Sequence, residues 1–354
     1  MIDNKLKKLE EEQMFESDVN NIPPSDIVAF NELRSCADLL RLHSSGQLNI
    51  QPDFQRDIVW STPDQTRFID SLTKQLPIPS LCISYDYKTD KRLVIDGLQR
   101  LNSIINFLSD DEWKLSKLED IDQRLAGKTV YTIKTREKEL FERVQNVVIP
   151  ITVIRCDYSK EEHNQYLFTI FHRLNSGGVR LNNQEIRNCI YNGSFNKLLK
   201  ELANSEETIR LFKKKKRFAN EEMILRFFSF YYNLDDYNGS LAKFLNDMMF
   251  EKIYLDENEA ESMKELYLRT VNFIYEKIFD HYSSSNFGKT FLEGLLIGVA
   301  KNLDYLKNKE NEEIKMLFDN FRNLPEYSID SLKEGLSNKD KVKNRIRASI
   351  NCFS

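Results

Sequence analysis

The chain has 354 residues, 41% of them hydrophobic and 30% charged, with a formal net charge of −4. That balance is ordinary for a folded globular protein, and the slightly negative charge argues against a general nucleic-acid coat. No apolar run approaches the ~20 residues needed to cross a bilayer. Residues 1–16 are charged throughout and lack the apolar core of a secretory signal, so the expected location is the cytoplasm with no membrane partner.

Composition changes along the chain. Seven of the eight prolines lie at or before Pro150, and the short β-rich runs Leu81-Cys82-Ile83-Ser84-Tyr85, Arg92-Leu93-Val94-Ile95 and the run over 147–154 lie there too. After about Ser159, Phe, Leu, Ile and Tyr recur at helical spacing. The reading is an α+β protein: a flexible N-terminus over 1–25 ending at Pro23-Pro24, a small mixed sheet with helices over 26–157, and an all-helical part over 158–354. Five cysteines (Cys36, Cys82, Cys156, Cys189, Cys352) without a Cys-x-x-Cys read as reduced, mostly buried thiols. Four histidines (His43, His163, His172, His281) contain no His-x-x-x-His metal pair.

In chain order, Gln51-Pro52-Asp53-Phe54-Gln55-Arg56, followed by Trp60, forms a loop bearing two long polar side chains. Thr62-Pro63-Asp64-Gln65 offers an N-cap, a proline at the first helical position and a capping-box glutamine; Phe68, Ile69, Leu72 and Leu76 make its apolar stripe. Val94-Ile95 ends a strand, Asp96-Gly97 turns, and a helix follows with Leu98, Leu101, Ile104, Ile105 and Leu108 on one face. Strand, glycine turn and helix start make an anion site, because the first helical amides are unpaired and the helix dipole favours negative charge there. Gln99 and Arg100 lie off the stripe. Asp96 and Gln99 also stand three apart and could form a capping box with no ligand at all, but that leaves a cation, Arg100, opposing the dipole in the first turn.

Ser159-Lys160-Glu161-Glu162 reads as another capping box, ahead of Leu167, Ile170, Phe171 and Leu174, with His163 as a packed core residue. That helix ends at Arg173-Leu174-Asn175-Ser176-Gly177-Gly178, and Asn182-Asn183-Gln184-Glu185 caps the next. Lys213-Lys214-Lys215-Lys216-Arg217 is the one dense basic run and reads as a solvated helix face, with binding of phosphate or an acidic partner as the alternative.

Together these motifs resemble the ParB-like (sulfiredoxin-like) module that forms the N-terminal domain of GmrSD-type restriction enzymes. That family carries Pro-x-Phe-Gln-Arg-x-x-Val-Trp, matched from Pro52 to Trp60, then Asp-Gly-Gln-Gln-Arg-Leu, matched by Asp96-Gly97-Leu98-Gln99-Arg100-Leu101 with Leu98 in place of a glutamine. Phe-x-Arg-Leu-Asn-x-Gly-Gly…Leu-x-x-x-Glu-Ile-Arg-Asn follows, matched from Phe171 to Asn188.

The resemblance implies a nucleotide-binding, NTP-hydrolysing module of a restriction or phage-defence system. It implies Asp96, Gln99 and Arg100 as catalytic residues, with Gln55, Arg56, Gly97, Arg100, Arg173 and Asn175 around the nucleotide and Mg2+ at Asp96. DNA or a separate nuclease or effector protein is the implied partner, and oligomerisation is left open. The alternatives are a regulatory module that binds nucleotide or nucleic acid without turnover, and a DNA nuclease. After residue 240 only His281 remains, so a histidine-pair nuclease finger is not expected there.

Overall fold

The computed structural model describes residues 23–50, 60–174, 181–215, 217–284, 287–333 and 336–354; Gln55, Arg56 and Asn175 lie outside them. The chain forms two compact units, one over Asn21–Leu181 and one built on Asn182–Ser354.

The first unit is organised by a five-stranded sheet in the order β1-β5-β3-β4-β2. Its elements are β1 (Val28–Ser35), α1 (Cys36–Ser44), β2 (Leu48–Asn49), α2 (Thr62–Thr73), β3 (Leu81–Asp86), β4 (Lys91–Asp96), α3 (Leu98–Ser109), α4 (Val130–Arg136), α5 (Lys138–Asn146), β5 (Val148–Cys156) and α6 (Glu161–Leu174). β5 runs antiparallel to β1 and parallel to β3, while β4 is antiparallel to β3 and parallel to β2. The three expected β runs became β3, β4 and β5. β1 has no strong pattern of its own: Val28, Phe30 and Leu33 are exposed, and it is a strand because β5 supplies a full ladder.

α1, α2 and α3 bury Leu39, Ile69, Leu72, Leu101 and Ile104 with Leu81, Ile83 and Ile151 of the sheet. Leu76 lies past the end of α2 and is half exposed, because the helix stops at Lys74 and Gln75 takes a positive φ of 54°.

The expected boundary at 157/158 falls too early. α6 packs on β4 and belongs to the sheet unit. His163, 1% exposed, accepts from the Asp157 amide at Nδ1 (3.0 Å) and pairs through Nε2 with Asp26 (2.9 Å), just before β1. Lys160 and His163 together hold the Asp26 carboxyl down at about 2. Ser159 gives its amide and hydroxyl to Asp157.

The second unit is helical among its described residues: α7 (Asn183–Ile190), α8 (Ser194–Ala203), α9 (Glu206–Phe212), α10 (Ala219–Asn233), α11 (Leu241–Glu251), α12 (Glu257–Phe273), α13 (Lys289–Lys301), α14 (Leu303–Leu306), α15 (Asn311–Arg322), α16 (Ile329–Lys333) and α17 (Lys339–Cys352). α10 and α13 are buried nearly all round and form its centre. α13 meets α17 at two glycines: a Cβ on Gly294 would lie 2.8 Å from the Ser349 hydroxyl, and one on Gly298 2.8 Å from the Ser349 carbonyl. No helix of the described residues is long and apolar enough to cross a membrane.

Candidate functional site

The strand–glycine–helix element forms as expected, with one addition. Ile83 pairs with Val94 but Cys82 pairs with Asp96, so β4 carries an extra residue at its end. Such a bulge re-aims the side chain beside it, and here it puts Asp96 opposite Cys82. Burial, with the Asp96 charge adding to it, pushes the Cys82 thiol up to about 12, so Cys82 is inert as a nucleophile. Gly97 has φ +92°, and a Cβ there would lie 2.2 Å from Leu81 Cδ2. Only glycine makes this turn without strain.

The capping box does not form. α3 starts with Gly97 at the cap position and no side-chain cap bond. Asp96 instead accepts from Arg100 Nη2 at 2.8 Å, and Gln99 Oε1 accepts the Trp60 amide at 3.1 Å. Arg100 is also not the free cation that its place off the stripe implied. Its side chain is 14% exposed, and Nη1 donates to the carbonyls of Pro79 and Ser80 (3.3 Å for Ser80). It ties the chain before β3 to the first turn of α3 and orients Asp96, whose own side chain is 43% exposed.

The Gln99 bond joins two motifs that are far apart in sequence. Trp60 closes the Pro52–Trp60 motif, and its backbone is held at both ends: Gln99 takes the N–H, and Gln65 Nε2 donates to the carbonyl at 3.1 Å. Its ring meets Phe68 edge-on, centroids 5.5 Å apart. The helix start is therefore displaced by one residue from the reading above. Ser61, not Thr62, caps α2 by accepting from the Asp64 amide, and Gln65 serves Trp60 rather than a capping box. A glutamine four residues into a capped helix carries no sequence signal for this clamp.

Residues 36–192 match the model of the GmrSD restriction endonuclease N-terminal domain. Over this stretch, less than half of the sequence, the chain is similar to that domain. No curated protein and no solved structure matches the chain.

The GmrSD-type region runs past the sheet unit into α7. Within the sheet unit, Arg173 is exposed on the last turn of α6, the helix that packs on the strand carrying Asp96. The motif residues Gln184 to Asn188 lie in the helical unit and are buried. Asn182 and Glu185 form the expected capping box. Glu185, 2% exposed, also pairs with Arg217 at 2.6 Å, and Asn182 donates to the Arg217 carbonyl. Arg187, 1% exposed, donates to Asn246 and Gln184, and burial brings its pKa down to about 10. These motif residues hold α7 in its core rather than facing a ligand.

Asp96 is the one carboxylate that the GmrSD-type motif places at this helix start. Among the described residues no group of three or more His, Cys, Asp or Glu could hold a metal. One half-exposed carboxylate fits an Mg2+ held mainly by phosphate oxygens and water, the usual manner of that ion with nucleotides.

Proposed function

We propose that this GmrSD-type domain binds and hydrolyses a nucleoside triphosphate as a module of a restriction or phage-defence system. The observation that carries the reading is the start of α3. Its N-terminus has no side-chain cap, although Asp96 and Gln99 stand at capping-box spacing and are turned to Arg100 and Trp60 instead. A twelve-residue helix with an uncapped N-terminus attracts phosphate oxygens through its amides and its dipole.

In this reading the first-turn amides after Gly97 receive the phosphates, and Arg100 holds the Asp96 side chain in place. Gln99 holds Trp60, the last residue of the motif that carries Gln55 and Arg56; these two, with Arg173 and Asn175, are the further proposed nucleotide contacts. Bound Mg2+ would neutralise phosphate charge, which phosphoryl transfer needs above all. DNA or a separate nuclease protein is the proposed partner.

Calorimetric titration with each common NTP plus Mg2+, together with phosphate-release assays, tests this. Wild type is expected to bind at least one NTP and to release phosphate. Asp96→Asn should bind but turn over more slowly, and Arg100→Ala should bind more weakly, by about tenfold or more, because Asp96 and the first turn of α3 lose their brace. No binding by wild type overturns the proposal. Binding without phosphate release favours the regulatory reading. With Mg2+ or Mn2+ alone the chain is expected not to nick DNA, and nicking abolished by Asp96→Ala would establish the nuclease reading instead.

A further inference from the structure

The basic run after residue 212 is not the helix face that its composition suggests. α9 ends at Phe212, and Lys213, Lys214 and Lys215 lie between it and the turn that opens α10, all three exposed. The helix C-terminus accounts for one cation, since its dipole acts only over the last turn; the run continues beyond that.

The surrounding backbone is held in an unusual conformation by buried groups. Lys213, Arg217 and Phe218 have φ of 59°, 54° and 59°. Asn220, 3% exposed, donates to the Lys213 carbonyl at 3.0 Å. At the other end, Arg217 pairs with the buried Glu185, and Asn182 bonds its carbonyl. Ser284 donates twice to the Leu211 carbonyl, which sets the 280–284 turn, with Tyr282 75% exposed, against the same helix end. Lys213 and Lys214 make no ion pair among the described residues. Three non-glycine residues at positive φ are strained; they flank a cationic segment on a chain whose net charge is negative, with Tyr282 exposed on the neighbouring turn.

We propose that this loop, Lys213 and Lys214 with Tyr282 beside them, is a docking site for the phosphodiester backbone of nucleic acid. Ammonium groups on fixed backbone contact phosphates without reading sequence, and an exposed tyrosine offers a stacking face to an unpaired base. The inference is independent of the nucleotide site, because the residues that build it all lie in the helical unit.

The test measures fluorescence anisotropy of labelled duplex DNA, single-stranded DNA, RNA and polyglutamate with the full chain, in the absence of NTP and across a salt series. Wild type is expected to bind nucleic acid with strong salt dependence. In K213Q/K214Q the slope of log K against log salt should be shallower by about 1.4–1.8, and the affinity near 0.1 M salt lower by roughly tens of fold. K213R/K214R should bind as wild type does, and Y282A should weaken single strands more than duplex. Thermal melting of the variants checks that the fold is kept. Absence of nucleic-acid binding by wild type, an unchanged slope in K213Q/K214Q, or binding of polyglutamate alone would overturn the proposal.

Discussion

The two units place charge differently. In the helical unit, ions sit inside the core. Arg226 and Glu293 pair at 2.6 Å with side chains 5% and 0% exposed, and the same α10 carries Glu222, paired with Lys289 on α13. In the sheet unit the Asp96–Arg100 pair is half open, with Asp96 turned outward by a bulge and Arg100 braced on carbonyls. A pair sealed among helices can only serve folding. An open pair at a helix start can meet a ligand, and the difference in burial separates a scaffold from a site even where both use Arg and a carboxylate.

The sharpest way to break that comparison is at Arg226. Arg226→Met leaves Glu293 buried without its closest cation and is expected to destabilise the helical unit by about 3–5 kcal/mol, while R226M/E293L recovers most of that loss. Chemical denaturation measures both, and a single variant as stable as wild type would mean that the buried pair is not a scaffold element. The sheet unit has its own rigid point at Gly97. Gly97→Ala meets Leu81 at a φ that L residues avoid, and a loss of about 1–3 kcal/mol is expected on the same assay.

Arg100 and Asp96 sharpen the contrast between brace and site. Arg100→Ala releases the Pro79 and Ser80 carbonyls and should lower stability by ~1.5–3 kcal/mol, a cost that its position off the apolar stripe did not foretell. Asp96→Asn removes only the half-exposed member and should change stability by less than ~1 kcal/mol, so any large effect it has on phosphate release is chemical. Equal melting losses for the two variants would erase the distinction.

The smallest effect expected is one of pH. Asp157 is buried, which alone would raise its pKa, but the Lys88 ammonium and the hydrogen bonds from Ser159 outweigh burial and hold its carboxyl down at about 2. A depressed carboxyl stabilises the fold above its unfolded pKa of about 4 and loses that contribution as pH falls toward 2. Melting curves for wild type and Asp157→Asn should therefore converge between those pH values. Curves that stay parallel would remove Asp157 from the acid sensitivity of the sheet unit.

What the sequence determined by itself was whatever rests on local pattern. Short β-rich runs marked β3, β4 and β5, and helical spacing marked the second unit. Asp96-Gly97 before an apolar stripe marked the strand–turn–helix, and three ordered motifs marked the GmrSD-type domain. His163 read correctly as core, and Asn182 to Glu185 as a cap.

The tertiary structure decided what depends on partners distant in sequence. β1 is a strand only because β5 pairs with it, and α6 joins the sheet unit through β4, Asp26 and Asp157. Arg100 became a brace because Pro79 and Ser80, some twenty residues away, present carbonyls to it. Gln65 and Gln99 became the two ends of a clamp because Trp60 lies between them in space, and Glu185 acquired Arg217 across thirty-two residues. A side chain's spacing fixes which face of its own helix it occupies. It does not fix what stands opposite, and for long polar side chains the group opposite determines whether they hold the fold together or wait for a ligand.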